Sequence, residues 1–505
     1  MFTQVNSAGI RGLECFPVSV EADVSNGLPG FSISGQLAGE VKESQERVRI
    51  ALKNAGFQLP AKKITVNLSP AGVRKGGTAF DLPIAVAILA SFGEISTAGL
   101  KDCLFLGELG LDGKVKPISG ILAYIEAARR WGIRRCLIPT ENCKEGRVIT
   151  GIEVVGVDSL RELKEALNRR EEAVREEPEE VCEEYSVDFR ELNGQQVLRR
   201  GAEIAAAGMH HLLMWGSAGT GKTMAARRIP TILPPMTWEE RLTISRVYSV
   251  CGKLPEDRPL VAERPFRSPH HTISTQGLTG GGRDPRPGEL SLASGGVLFL
   301  DEFPHFGKGA IEALRQPLEE GKITVTRAIG SFEFPADFLL VAALNPCPCG
   351  YYPDRNRCRC TQTQIDAYLK RLSRPILERF DLCVEASPVS FRDLENVSGE
   401  NEDSETIRKR VLRAREIQKQ RFSGTKIRYN SKMGQSELRK YCALGDSERE
   451  FALKIYESGG SSARGYHKVL KVARTIADLE GEDRIRKAHL AEAFGYRALE
   501  GRLWG

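Results

Sequence analysis

Eight consecutive residues, Gly216-Ser217-Ala218-Gly219-Thr220-Gly221-Lys222-Thr223, carry the chemistry of a phosphate cradle. Their glycines let the backbone curl until several N–H groups face one anion at the start of a helix. Lys222 then reaches the outer phosphates of a nucleotide, and the Thr223 hydroxyl is offered to Mg²⁺. The flanks give the motif its meaning. His211-Leu-Leu-Met-Trp215 precedes it as a short apolar strand, and Met224-Ala-Ala-Arg-Arg-Ile229 follows as a helix. A second apolar run, Gly296 to Leu300, ends in Asp301-Glu302 and suits a strand buried on both faces of a parallel sheet. Asp301 is expected in the Mg²⁺ shell and Glu302 to polarise an attacking water. A third run, Phe338 to Leu344, ends in Asn345, a neutral amide suited to orienting a γ-phosphate and water. The expected ligands are ATP and Mg²⁺.

Four cysteines, Cys347, Cys349, Cys358 and Cys360, are spaced C-x-C-x₈-C-x-C around turn-forming Gly, Pro, Asp and Asn. They are enough for one tetrahedral Zn²⁺, with four free thiols as the other reading. His270-His271 has no nearby Cys or carboxylate in sequence and is read as structural; His210-His211 is read as the lead-in to the phosphate-loop strand. Residues 277–289, rich in Gly and Pro, are expected to be a mobile loop. Residues 322–335 alternate and turn at Gly330-Ser331, as a β-hairpin does. Lys322 and Arg327 on that hairpin, with Arg283 and Arg286 on the loop, are candidates for gripping nucleic-acid phosphates; an edge hairpin with solvated charges is the alternative. Residues 405–440 hold 12 Lys/Arg against 3 acidic side chains, and the helix Arg408–Arg421 has basic residues on several sides. Such a segment suits either a phosphate backbone or a solvated surface.

These residues need scaffolds to hold them. A chain of 505 residues suggests about three domains. With 41% apolar and 27% charged residues it has the composition of a globular protein, and no apolar run approaches the ~18 residues of a membrane span. The N-terminus lacks a secretory pattern, so a reducing cytoplasmic setting is expected, where clustered cysteines mean metal or redox chemistry. The net charge of +6 excludes little. Residues 161–190 carry 6 basic and 11 acidic side chains, and read as a solvated linker. The expected organisation is an α/β domain over 1–165, an acidic linker over 166–190, an ATPase core with a parallel sheet over 191–395 and a helical lid over 396–505. In the first domain, Ile64–Leu68 and Cys136–Pro139 read as strands, and Val41–Ala55 and Gly120–Trp131 as amphipathic helices.

Asn67 to Ala87 and Gly113 to Ala123 resemble the Lon-type protease domain, of ribosomal-S5-like fold. That resemblance implies a Ser–Lys dyad, but Ala79 stands at the serine position and Leu122 at the lysine position. Neither can do the chemistry, and Thr78 lacks a base, so the fold is expected without peptidase activity.

The order of phosphate loop, Asp-Glu strand, Asn-tipped strand and Ile376-Leu-Glu-Arg379-Phe-Asp381 resembles the AAA+ ATPases, in the magnesium-chelatase-like branch. The resemblance implies that Arg379, with Arg374 second, acts as a finger toward the neighbouring subunit, and that Arg464 serves as a second sensor on the lid. It also makes the 322–335 hairpin similar to pore-lining hairpins of helicase-like members. Gly194-Gln-Gln-Val197, Arg264-Pro-Phe-Arg-Ser-Pro-His-His271 and Asn345-Pro-Cys-Pro-Cys-Gly350 resemble phrases of the ComM/YifB family along essentially the whole chain. Arg374 and Glu378 depart from the Gly and Asp usual there. The family resemblance implies a homo-hexameric ring that encircles DNA and drives branch migration in recombination during natural transformation, with other recombination proteins as possible partners. A chelatase-like motor acting on a protein or metal-insertion partner, and a Lon-type protease, are the alternatives.

Overall fold

The computed structural model describes residues 2–171, 173, 183–255, 258–328, 330–389, 401–459 and 462–497. Most of the expected acidic linker, and the expected boundary between core and lid, lie outside the described residues.

The N-terminal domain is built on a mixed seven-stranded sheet. Its strands are β1 (Phe2–Arg11), β2 (Glu14–Ser25), β3 (Gly30–Ser34), β4 (Lys63–Ser69), β5 (Cys103–Phe105), β8 (Arg135–Pro139) and β9 (Glu153–Val157), in the spatial order β3-β4-β2-β1-β5-β8-β9. The short β6 (Glu108–Leu109) and β7 (Val115–Lys116) pair apart from it. The apolar run near Leu82 forms the helix Asp81–Ser91, buried at every position, which is why it reads as hydrophobic all round. The single charge on it, Asp81, is neutralised by Arg47 at 2.8 Å and accepts the Leu109 N–H. The helices Gly39–Asn54 and Ile121–Arg130 occupy the segments their apolar spacing indicates.

The central domain carries a five-stranded parallel sheet of β10 (Leu212–Trp215), β11 (Phe266–Arg267), β14 (Val297–Leu300), β17 (Leu339–Leu344) and β18 (Leu382–Glu385), ordered β11-β14-β17-β10-β18. Every residue of β10, β14 and β17 is buried, as expected for strands covered by helices on both faces. Strand order reverses beside β10, so the three loops that follow β10, β14 and β17 open together at the carboxyl end of the sheet.

The C-terminal helices, including Ser404–Arg421, Ala463–Glu480 and Lys487–Gly495, share one apolar core with the helix Gln196–Gly208 and the phosphate-loop helix Lys222–Ile232. A buried polar network sits in that seam. The His210 ring lies 3.1 Å from Asp381 and 2.8 Å from Thr475, and Lys468 lies 2.9 Å from Asp381. Burial pushes against its charge, yet Lys468 and His210 hold the Asp381 carboxyl well below its usual range.

The N-terminal domain docks on the central one through the helix Trp238–Val250. The Gly120 N–H donates to Ser249 O at 3.0 Å, and Arg246 pairs with Glu126 at 3.0 Å. Trp238 and Leu242 pack on the cluster that contains Ala79 and Leu122.

Candidate functional site

The phosphate loop closes the space between β10 and the helix Lys222–Ile232. Gly221, at φ +83°, caps that helix in a left-handed conformation that suits glycine. Lys222 is nearly buried, and its ammonium donates to Gly216 O at 2.7 Å, Ser217 O at 2.8 Å and Asn345 Oδ1 at 3.3 Å. Burial pushes its pKa down to about 8, with Asp301 opposing. The Thr223 hydroxyl donates to Asp301 Oδ2 at 2.8 Å. The structure therefore gathers the sequence-predicted Lys222, Thr223, Asp301, Glu302 and Asn345 on one cavity of about 710 Å³. The donor set fits a Mg-nucleotide. An ammonium held only by neutral oxygens awaits an anion, and a hydroxyl and a carboxylate in contact are hard-oxygen ligands.

His270 and His271, read from sequence as structural, both line this cavity, and His270 Nδ1 lies 2.9 Å from the Thr272 hydroxyl. His271 Nδ1 lies 3.3 Å from Glu302 Oε2. A sequence signal existed: the pair follows β11 by three and four residues, and β11 runs parallel beside the strand that ends in Asp301-Glu302.

The arginines expected to complete the chemistry do not line this cavity among the described residues. Arg379 forms an ion pair with Glu319 and is 22% exposed, whereas Arg374 is 84% exposed. Glu378 lies 3.6 Å from Arg374 and 3.9 Å from Arg464, so one carboxylate brings those two largely exposed guanidiniums together.

The cysteine cluster forms as the spacing requires. All four Sγ atoms lie within 4.8 Å of one another, with Cys347–Cys349 at 3.3 Å, Cys349–Cys358 at 3.5 Å and Cys347–Cys358 at 3.7 Å. A zinc tetrahedron with ~2.3 Å Zn–S bonds has S–S edges of ~3.8 Å, so the residues fit Zn²⁺. The Tyr351 backbone N–H pulls the Cys349 thiol down to about 6, while burial pushes Cys358 up to about 12. Several thiolates this close repel unless a cation sits among them.

The hairpin over 322–335 forms from β15 (Lys322–Arg327) and β16 (Gly330–Pro335). Its last register pair is Arg327 with Gly330, so the chain reverses ahead of the expected Gly330-Ser331 turn. Thr326 and Ser331 face each other across the ladder at 3.1 Å, which removes Ser331 from the turn. The expected mobile loop is a second correction. Residues 277–289 pair β12 (Gly280–Gly281) with β13 (Arg286–Pro287), anchored by buried Leu278 and Leu290. Glycine and proline here make a tight ladder rather than a slack chain. The Arg327 guanidinium reaches Gly282 O at 3.3 Å and joins the two insertions. Arg283 and Arg286 are exposed, whereas Lys322 pairs with Glu333 at 2.6 Å.

The basic helix needs a third correction. Much of its charge is spent inside the molecule: Arg410 pairs with Glu203 and with Glu402, Arg408 with Glu183, and Arg421 with Asp478. Arg415 donates to Ala206 O at 2.7 Å and lies 4.1 Å over the Tyr429 ring. Carboxylates distant in sequence neutralise what looks unopposed locally. Arg413, Lys419, Arg439 and Lys440 remain exposed.

Ala79 and Leu122 are both buried. The Leu122 N–H donates to Glu145 at 3.1 Å, and the same carboxylate accepts the Ser249 hydroxyl. The position of the missing base is thus part of a clamp between domains.

Comparison with known proteins agrees with this geometry. Residues 188–394 match the family model of magnesium chelatase, subunit ChlI; residues 20–142 match that of subunit ChlI of Mg-chelatase; residues 401–497 match its C-terminal region. The chain is 42% identical over 501 residues to competence protein ComM of Haemophilus influenzae, covering 98% of this chain and 97% of that protein. It is 38% identical over 497 residues to YifB of Escherichia coli, covering 98% and 97%. A shorter match, 32% identical over 124 residues, covers 24% of this chain and 25% of DNA repair protein RadA of Listeria monocytogenes. No described helix is long and apolar enough to cross a membrane. A phosphate loop, an Asp-Glu strand and an Asn-tipped strand on one parallel sheet, with ComM and YifB matched along nearly the full length, place the chain in the ComM/YifB family of magnesium-chelatase-like AAA+ proteins.

Proposed function

We propose that this protein is a cytoplasmic ATP-driven ring motor that moves branched or single-stranded DNA during recombination linked to DNA uptake. The observation that carries the reading is the convergence of Lys222, Thr223, Asp301, Glu302 and Asn345 on one cavity, with Arg327 joining two arginine-bearing insertions elsewhere in the same domain. Gly216 to Gly221 direct backbone N–H groups at the phosphates, and Lys222 gives up its carbonyl partners to meet their charge. Thr223 and Asp301 would hold Mg²⁺, which would supply positive charge to offset that of the phosphates. Glu302 takes the proton of the attacking water, and Asn345 orients that water against the γ-phosphate. Arg379 enters the neighbouring subunit's site, with Arg374 the second candidate, and Arg464 serves as second sensor on the lid, so an isolated subunit hydrolyses ATP poorly. A homo-hexamer supplies the neighbour.

Three relatives lend weight to the substrate through their names alone: a competence protein and two DNA repair proteins called RadA. The cysteine cluster holds a structural Zn²⁺. The N-terminal domain is a Lon-like module without its dyad, which argues against the protease reading; a casein-cleavage assay with ATP tests that point. A second reading, a chelatase-like motor remodelling a protein partner, draws on the magnesium chelatase family matches. The deciding experiment is a three-way-junction branch-migration assay with ATP, comparing the wild type with Glu302→Gln. Junction movement by the wild type alone supports the DNA motor. Undiminished ATP hydrolysis without movement, and without stimulation by DNA, favours the protein partner.

A further inference from the structure

Glu302 stands out in the cavity for its backbone. Among the described residues it is one of two non-glycines with positive φ, at +51°, the other being Met209. That conformation is uncommon for a side chain longer than Asn, and it persists where surrounding contacts over-determine it. The Glu302 carboxylate is about half exposed, and His271 Nδ1 lies 3.3 Å from its Oε2. The His271 ring is itself held. It packs against His270 with centroids 4.1 Å apart and the rings tilted by 33°, lies 5.8 Å from His305 and meets Phe306 nearly edge-on at 6.5 Å. His305 in turn lies 5.7 Å from Tyr368. A carboxylate that must remove a proton from water needs a fixed rotamer. Left to itself on an exposed left-handed residue, it samples several.

We propose that His271 is the positioning residue for Glu302, with its Nδ1 fixing the carboxylate and with His270, His305 and Phe306 fixing the imidazole. His271 acts through Glu302, which it meets across the cavity that both line. The inference rests on the reading of Glu302 as the base. It adds that the loop after β11, bearing Ser268 to His271, belongs to the hydrolytic machinery.

The test uses the full chain, with ATP turnover, binding of a fluorescent ATP analogue and thermal melting measured for each variant. His271→Phe keeps an aromatic ring in that packing and removes the nitrogen. It should lower kcat about tenfold while KM for ATP and analogue affinity stay within about twofold. His271→Asn, whose side-chain amide can bond a carboxylate, should restore most of that loss. The double variant His271→Phe/Glu302→Gln should turn over no more slowly than Glu302→Gln alone, because the two residues act as one unit. Wild-type kcat in His271→Phe would overturn the proposal. So would an equal defect in His271→Asn and His271→Phe, which would trace the effect to ring packing. Wild-type turnover in Glu302→Gln would overturn the base assignment itself, a result independent of what the His271 variants do.

Discussion

Gly350 of the cysteine turn rests against Ala218 of the phosphate loop: a Cβ on Gly350 would lie 3.6 Å from the Ala218 Cβ and 3.9 Å from Cγ of Asn345. The knuckle is therefore a brace for the nucleotide site. Asn345 and Cys347 are two residues apart, and the helix Gln362–Leu369 begins two residues after Cys360.

Metal removal tests the brace. The purified protein is expected to hold one zinc per chain, released with a thiol-blocking mercurial and read colorimetrically. Stripping it with a chelator should weaken nucleotide affinity roughly 2- to 30-fold, the span of a coupling of 0.5–2 kcal/mol. Restoring zinc should recover it. Full-strength binding by zinc-free protein would refute the coupling.

Nucleotide affinity should depend on pH through Lys222. In the free protein its pKa is about 8, below the ordinary lysine value, because it is buried. Phosphate binding favours its charged form and so raises that pKa. Apparent affinity should be flat below about pH 8 and then fall by up to about tenfold per pH unit above it. Lys222→Ala should bind weakly with no such step. Titration of a fluorescent analogue between pH 7 and 10 reads both.

Subunit mixing tests the arginines. Arg379→Ala is expected to lower ATP turnover by about 10³-fold or more while leaving nucleotide affinity unchanged. Arg374→Ala, at the second candidate, should cost less. Adding an excess of Lys222→Ala subunits to Arg379→Ala subunits should restore activity, since each supplies what the other lacks. Failure to complement would assign Arg379 a role within its own chain, with its partner Glu319.

The insertions separate binding from hydrolysis. Replacing Arg283, Arg286 and Arg327 together by Ala should flatten the dependence of log affinity for single-stranded DNA on log salt by about 2 units. ATP turnover without DNA should stay as it was. Lys322→Ala should leave the slope nearly unchanged, because Glu333 neutralises it. An unchanged slope in the triple variant would remove the insertions from the DNA path.

Much of this protein is written in short stretches. The phosphate loop, the Asp301-Glu302 and Asn345 strand ends and the four cysteines are each local patterns, and local patterns survive folding because backbone geometry alone sets them. The buried strands Leu212–Trp215, Val297–Leu300 and Leu339–Leu344 were legible for the same reason: short apolar runs suit a strand covered on both faces, whereas the longer run in Asp81–Ser91 is a helix. What misled was also local. Gly and Pro over 277–289 suggest slack until Leu278 and Leu290 are seen to anchor both ends.

By itself, then, the sequence determined which residues can handle phosphate, water and metal, and which strands carry them. Pairings across tens or hundreds of residues belonged to the tertiary structure. It set His271 on Glu302, Gly350 on Ala218, Arg410 on Glu203 and the Leu122 backbone on Glu145. Charge and hydrogen bonding depend on distance in space, and a chain read in order holds no record of which distant group will arrive at 3 Å.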